Sequence, residues 1–246
     1  MIKNQPKCNL RLKGFIFDLD GVLTDTSELH YLSWKRLAER EGISFTREDN
    51  EKLRGVSRLQ SLTLLLKGKK VSEDKTLEMM HFKNELFKDL IQNLSPKDLL
   101  PGAKELIDEI RQSGFKIGIA SASKNAKEVI NRLNINDKID TISDGYSVKK
   151  QKPAPDIFLH TAKTLNIDPS QCVVVEDAAA GIEAAIVAGM CTIGIGPVKR
   201  VGLADVVLSG LKNITLKQIL NMLNDDITKR SSGFGFAPLR SAKPNR

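Results

Sequence analysis

Two aspartates, Asp18 and Asp20, stand one residue apart at the end of an apolar run, in the stretch FIFDLDGVLTD from Phe15 to Asp25. The run reads as a buried strand, and Gly21 breaks it, so both carboxylates are expected where the strand leaves the core. Two carboxylates this close repel each other, and such a pair is held by a cation, a shared proton or reactive chemistry. A helix cap beside a turn aspartate is the ordinary alternative. That alternative leaves unexplained the FIF before the pair, Gly21 after it, and three polar clusters elsewhere. These are Ser121 to Asn125 after KIGIA, Lys152 in KPAPD, and Glu176 with Asp177 after VVV. Taken singly, Ser121 reads as a helix N-cap, Lys152 as a solvated charge, and Glu176 and Asp177 as helix caps. Taken together they offer carboxylates for a divalent cation, a lysine, and hydroxyls or amides beside a helix start. That set suits a phosphate group, whose charge Mg²⁺ and Lys offset while backbone N–H groups bind its oxygens. The chain has no Gly-rich loop ending in Gly-Lys-Ser/Thr and no GxGxxG, so nucleotide binding is not indicated.

The elements that must position these residues alternate. Strands are expected at Lys116–Ala120, Asp140–Ser143, Cys172–Val175, Thr192–Ile195 and Val206–Leu208, and helices at Ala103–Gln112, Asn125–Leu133, Pro155–Leu165, Gly181–Ala188 and Thr215–Leu223. This rhythm predicts an α/β fold with a Rossmann-like parallel sheet and helices on both faces. Ligands of such sheets bind at the carboxyl ends of the strands, where the polar clusters fall. Thr26 to about Leu94 breaks the rhythm. It has no good strand and reads as helices near Ser27–Glu41, Arg47–Leu53, Arg58–Leu66 and Ser72–Asn93, with Thr46 and Asp49 as a capping signal. An inserted helical cap that leaves the sheet just after Asp18 and Asp20 can sit over them as a lid. The expected division is a basic extension at 1–13, a core at 14–25 and 95–226, a cap at 26–94 and a disordered basic tail at 227–246.

The 246 residues carry a net charge of +8. Residues 1–13 and 227–246 hold nine basic residues and no acid, which leaves residues 14–226 at −1. The basic excess lies in the ends, so nucleic acid is not an expected partner. No stretch approaches the ~18 apolar residues of a membrane helix, and residues 1–13 lack the apolar core of a signal peptide. Cys8, Cys172 and Cys191 show no metal-ligand spacing, and an odd, unpatterned count fits a reducing cytosol. A cytoplasmic monomer acting on a small molecule, away from membranes, is expected.

DLDGVLTD (18–25), SASKN (121–125), KPAPD (152–156) and VVEDA (174–178), in this order, resemble the signature motifs of the haloacid dehalogenase superfamily of phosphotransferases. LRGVSR (53–58) and ASASKN (120–125) are similar to its β-phosphoglucomutase family. The resemblance implies Asp18 as a nucleophile that forms an aspartyl phosphate and Asp20 as general acid and base. It implies Mg²⁺ on the Asp18 carboxylate, the Asp20 backbone carbonyl and Asp177, with Glu176 as ligand or close neighbour. Ser121 and Lys152 would hold the transferring phosphoryl. In the cap, Arg58 would grip a second phosphate, His30 and Lys83 would position Asp20, and Trp34, Arg54, Gly55, Val56 and Ser57 would meet the substrate. Lys124 and Asn125 would contact the distal phosphate, and Ala122 and Ser123 would meet the substrate. Two positions depart from the family: Arg54 stands for a lysine and Ala178 for a serine. The implied reaction converts β-D-glucose 1-phosphate to glucose 6-phosphate. The alternatives weighed are a sugar-phosphate phosphatase, a non-catalytic phosphosugar-binding protein, a dehalogenase, and a Schiff-base phosphonate hydrolase, for which Lys83 is the positional candidate.

Overall fold

The computed structural model describes residues 11–231, with side chains to residue 225. The expected basic extension at 1–13 therefore lies mostly outside the described residues. Six parallel strands form one sheet: β1 (Gly14–Phe17), β2 (Lys116–Ala120), β3 (Thr141–Ser143), β4 (Cys172–Glu176), β5 (Cys191–Ile195) and β6 (Val206–Leu208), in the spatial order β3-β2-β1-β4-β5-β6. The chain builds outward from β1 on one side, then returns to build outward on the other. Its direction reverses between β1 and β4, the switch point where open α/β sheets bind ligands.

Four helices, α1 (Ser27–Arg40), α2 (Arg47–Glu51), α3 (Arg58–Leu66) and α4 (Glu73–Ile91), lie between β1 and β2. The remaining helices follow the strands: α5 (Ala103–Gln112), α6 (Ala126–Leu133), α7 (Asp156–Leu165), α8 (Ala179–Val187), a short α9 (Val198–Val201) and α10 (Leu216–Ser231). The sequence reading did not anticipate α9. It also ended the last helix at Leu223 and began a disordered tail at 227, whereas α10 continues to Ser231. No Gly or Pro interrupts the chain before Gly233, so nothing local stops the helix earlier. The rest of the tail, 232–246, lies outside the described residues.

Alternation along the strands sorts their side chains onto two apolar layers. Phe15, Phe17, Ile117, Ile119, Val173, Val175 and Ile193 pack with α5, α6 and α10. Ile16, Ala120, Cys172 and Val174 pack with α7 and α8 on the other face. The inserted helices have a cluster of their own built on Trp34, Leu37, Leu62, Leu65 and Met79. Helix α4 belongs to both: Met79 packs in the cap, while Phe87 and Ile91 join the core beside the sheet. Thr46 and Asp49 form the expected reciprocal capping box at the start of α2.

Candidate active site

Strand register sets the site. Phe17 pairs with Ile119 on one side and Val175 on the other, so Asp18, Ser121 and Glu176 leave their strands almost level with one another. Lys152, in the loop before α7, is fully buried beneath them. Its ammonium donates to Asp18 Oδ1 (2.6 Å), Glu176 Oε2 (2.7 Å) and the Ala120 carbonyl (3.0 Å), using all three protons. Burial alone would lower the pKa of Lys152. The Asp18 and Glu176 charges outweigh it, and the ammonium is held well above its ordinary value.

Glu176 and Asp177 complete the acidic group. Glu176 Oε1 accepts from the backbone N–H groups of Asp177 (3.0 Å) and Ala178 (2.9 Å), which fixes the turn into α8. Burial, then the nearby Asp18 charge, pushes Glu176 up to about 8 and Asp177 up to about 7. Oxygens of Asp18, Glu176 and Asp177 lie within 4.8 Å of one another. Three buried carboxylates offer oxygens to one point, with Lys152 on Asp18 and Glu176 and Arg54 on Asp177 offsetting part of their charge. The all-oxygen donor set is that of a hard ion such as Mg²⁺.

Asp20 projects from the turn after β1. Thr26 Oγ1 donates to its Oδ1, and Ser121 Oγ lies 3.4 Å from Oδ2. Burial and the Asp18 charge raise Asp20 to about 7, against the opposing pull of Lys83, Lys152 and Ser121. Two cap side chains stand behind it. His30 Nε2 is 3.7 Å from Asp20 Oδ1, and His30 Nδ1 lies 2.7 Å from Lys83 Nζ. A proton donated by Lys83 to Nδ1 would leave the histidine proton on Nε2, facing Asp20. Burial, then the neighbouring cations Lys83 and Arg58, holds His30 well below its usual value. Burial and Arg58 likewise hold Lys83 low, while Asp20 opposes the shift. The His30 ring stacks on Phe87 at 4.0 Å, and Lys83 lies over the Phe87 and Trp34 rings.

A cleft opens between this edge and the cap. Asp18, Asp20, His30, Trp34, Arg54, Gly55, Val56, Arg58, Lys83, Ala122, Ser123, Lys124 and Asp177 all line it. Ser121, Lys152 and Glu176 sit buried below its floor. Ser57 instead caps α3, accepting from the Gln60 N–H, and Asn125 donates to Asn84 Oδ1 across the cap boundary (3.0 Å). Arg54 donates to Asp177 Oδ2 (2.9 Å) and is braced by Glu51. Arg58 lines the cleft with no hydrogen-bond or ion-pair partner among the described residues. Burial lowers its pKa, while the nearby Tyr146 and Glu85 oppose that.

The sequence reading missed Ser27, Asn50, Leu53 and Ser61, which also line the cleft. Ser61 was within reach, because it lies three residues after Arg58 on the same helical face. It missed Arg200 altogether, whose Nε donates to the Asp177 carbonyl at 2.7 Å.

Comparisons with known proteins agree with this geometry. Residues 12–189 match the family model for haloacid dehalogenase-like hydrolases. A β-phosphoglucomutase of Bacillus subtilis is 43% identical, over 84% of this chain and 93% of the relative. A phosphorylated carbohydrates phosphatase of Thermotoga maritima is 28% identical, over 87% of this chain and 99% of the relative. The crystal structure of a β-phosphoglucomutase from Clostridium difficile superposes with a TM-score of 0.85 at 39% identity, covering 88% of this chain and 99% of that one. The motifs, the sheet order and these matches together establish that the chain belongs to the haloacid dehalogenase-like hydrolase family.

Proposed function

We propose that this protein is a Mg²⁺-dependent phosphosugar mutase that interconverts β-D-glucose 1-phosphate and D-glucose 6-phosphate through glucose 1,6-bisphosphate. Similarity to proteins named β-phosphoglucomutase supports the reaction class. The observation that carries it is Arg58, a half-buried guanidinium with no protein partner among the described residues, lining the cleft that holds Asp18. A substrate with a second phosphate supplies the missing anion, and Arg binds phosphate with a two-pronged fork.

The residues divide the work. Lys152 holds Asp18 Oδ1, leaving Oδ2 to attack phosphorus. The new Asp18–phosphorus bond forms as the bond from phosphorus to the sugar oxygen breaks, and Asp20 gives that oxygen its proton. In the second step a sugar hydroxyl attacks the aspartyl phosphate, Asp20 takes the hydroxyl proton, and the Asp18 carboxylate is released. An acid near pH 7 serves both directions, which suits Asp20 as held by Thr26, Ser121 and His30. Mg²⁺ held by Asp18, Asp177, the Asp20 carbonyl and Glu176 would offset the charge of the phosphoryl oxygens. Ser121 and Lys152 would hold the transferring group. Arg58 and Lys124 would take the distal phosphate, with Trp34 and the Gly55–Val56 turn against the sugar.

Phosphorus NMR with β-glucose 1-phosphate, Mg²⁺ and a trace of bisphosphate tests this reading. Conversion to glucose 6-phosphate with little free phosphate is expected. Stoichiometric phosphate release would replace the mutase by a sugar-phosphate phosphatase, the second reading, which the similarity to phosphatase-named relatives supports. Binding of Mg²⁺ and sugar phosphate without turnover would leave only a binding protein.

A further inference from the structure

Arg200, on α9, lies where neither the motifs nor the cleft-lining residues explain it. Its guanidinium reaches two partners in different parts of the molecule. Nε donates to the backbone carbonyl of Asp177 (2.7 Å), with Nη2 3.8 Å from the Asp177 carboxylate. Nη1 lies 3.4 Å from Glu51 Oε2, at the end of cap helix α2. Glu51 in turn accepts from Arg54 Nε at 3.0 Å, and Arg54 Nη1 returns to Asp177 Oδ2 at 2.9 Å. The four side chains close a ring that begins and ends on Asp177 and crosses from core to cap and back. Gly196 keeps the space open, since a Cβ there would come within 2.5 Å of Arg200 Nη2.

We propose that Arg200 is a positioning residue that fixes Asp177 for the metal and couples it, through Glu51, to the seating of the cap. The proposal rests on the reading of Asp177 as a metal ligand. Exposed ion pairs contribute little, and Glu51 is half exposed. The bond to the Asp177 carbonyl is different. It grips the backbone of the β4–α8 turn, where Asp177 itself is 3% exposed. Only a guanidinium offers separate donors at this spread, so one side chain can hold the Asp177 backbone and the Glu51 carboxylate together. Groups that orient metal ligands typically carry roughly 10–100-fold in affinity.

Mn²⁺, which takes the same oxygen ligands, can be titrated into the full chain and read by electron paramagnetic resonance without turnover. Wild-type protein is expected to bind it, and Arg200→Gln to bind it about 10–100-fold more weakly. Arg200→Lys, which keeps the charge, is expected to recover little of the loss, because one ammonium cannot span both partners. It carries the test if Arg200→Gln does not fold. For the cap, Arg200→Gln and Glu51→Gln are each expected to raise KM for the sugar phosphate, and the double variant to be no worse than the poorer single one. Equal Mn²⁺ affinity in wild type and both Arg200 variants overturns the proposal, as does simple additivity in KM. Failure of the wild-type chain to bind Mn²⁺ removes the metal reading on which the proposal rests.

Discussion

Lys152 shows how much of this site is held by single contacts. It is a fully buried cation between two buried carboxylates, with every proton donated. Removing one partner of a buried ionic group leaves the others uncompensated, at a cost of about 3–5 kcal/mol. Lys152→Met is therefore expected to lower thermal stability markedly as well as abolish turnover, and calorimetry on the purified variant measures the first effect. Asp20 behaves differently because an amide at this position keeps an oxygen that accepts from Thr26. Asp20→Asn keeps the shape and the backbone carbonyl but loses proton transfer. A fall in kcat of about 10²–10⁴-fold, with thermal stability close to wild type, is expected from steady-state kinetics and a melting curve. An Asp20→Asn enzyme that turns over normally would mean that another group moves the proton.

At the scale of elements, the sheet was legible because each strand carries its own apolar run and each helix its own period. Asp18 and Asp20 were legible because a polar pair after FIF contradicts the run before it. Lys83 was half legible: Met79, Lys83, Phe87 and Ile91 recur every four residues along α4, so a lysine occupies a core position. What it meets there, His30 from α1, depends on how two helices pack and is not written in either. Arg200 was illegible, since VKR in a one-turn helix reads as a solvated surface and its partners lie far away in sequence. Close approach between elements is equally hidden. Gly55 has φ +73°, and a Cβ there would stand 2.7 Å from the Ala178 Cβ, so the cap turn rests directly on the start of α8. Gly55→Ala adds strain of about 1–2 kcal/mol and pushes the turn off that contact. A raised KM and lowered kcat with an intact fold are expected in kinetic and circular-dichroism measurements. Asp140 ties the start of β2 to α5, accepting from the Ile117 N–H, Lys116 and Arg111 at 2.7–3.0 Å. Burial raises its pKa, but these donors win and hold it below the usual carboxylate value. Its stabilisation is full above the unfolded value near ~3.9 and is lost as pH falls through the lower folded one. Asp140→Asn is expected to cost about 1–2 kcal/mol at pH 7 in denaturant titrations, and the gap should narrow towards pH 3.

Across the whole molecule, two kinds of force hold different things. The sheet domain and the cap each have an apolar cluster, and α4 spans both through Phe87 and Ile91. The edge of the cap over the cleft is held by other means: Arg54 on Asp177, Arg200 on Glu51, and Asn84 with Asn125. Apolar burial does not weaken with moderate salt, whereas partly exposed ion pairs are screened as the Debye length falls from about 10 Å at 0.1 M to about 3 Å at 1 M. Salt should therefore loosen the seating of the cap without unfolding either part. Trp34, the one tryptophan of the chain, reports this directly, since it is buried in the cap and lines the cleft beside Lys83. Between about 0.1 M and 1 M NaCl, ligand-free protein is expected to show a red-shifted Trp34 emission as the cleft admits water, while the melting temperature stays nearly constant. Glu51→Gln, which removes one bridge between α2 and α9, is expected to show much of that shift already at low salt. An emission maximum indifferent to both salt and the variant would mean that the cap is seated by its apolar contacts alone, and that the charged ring around Asp177 has no part in closing it.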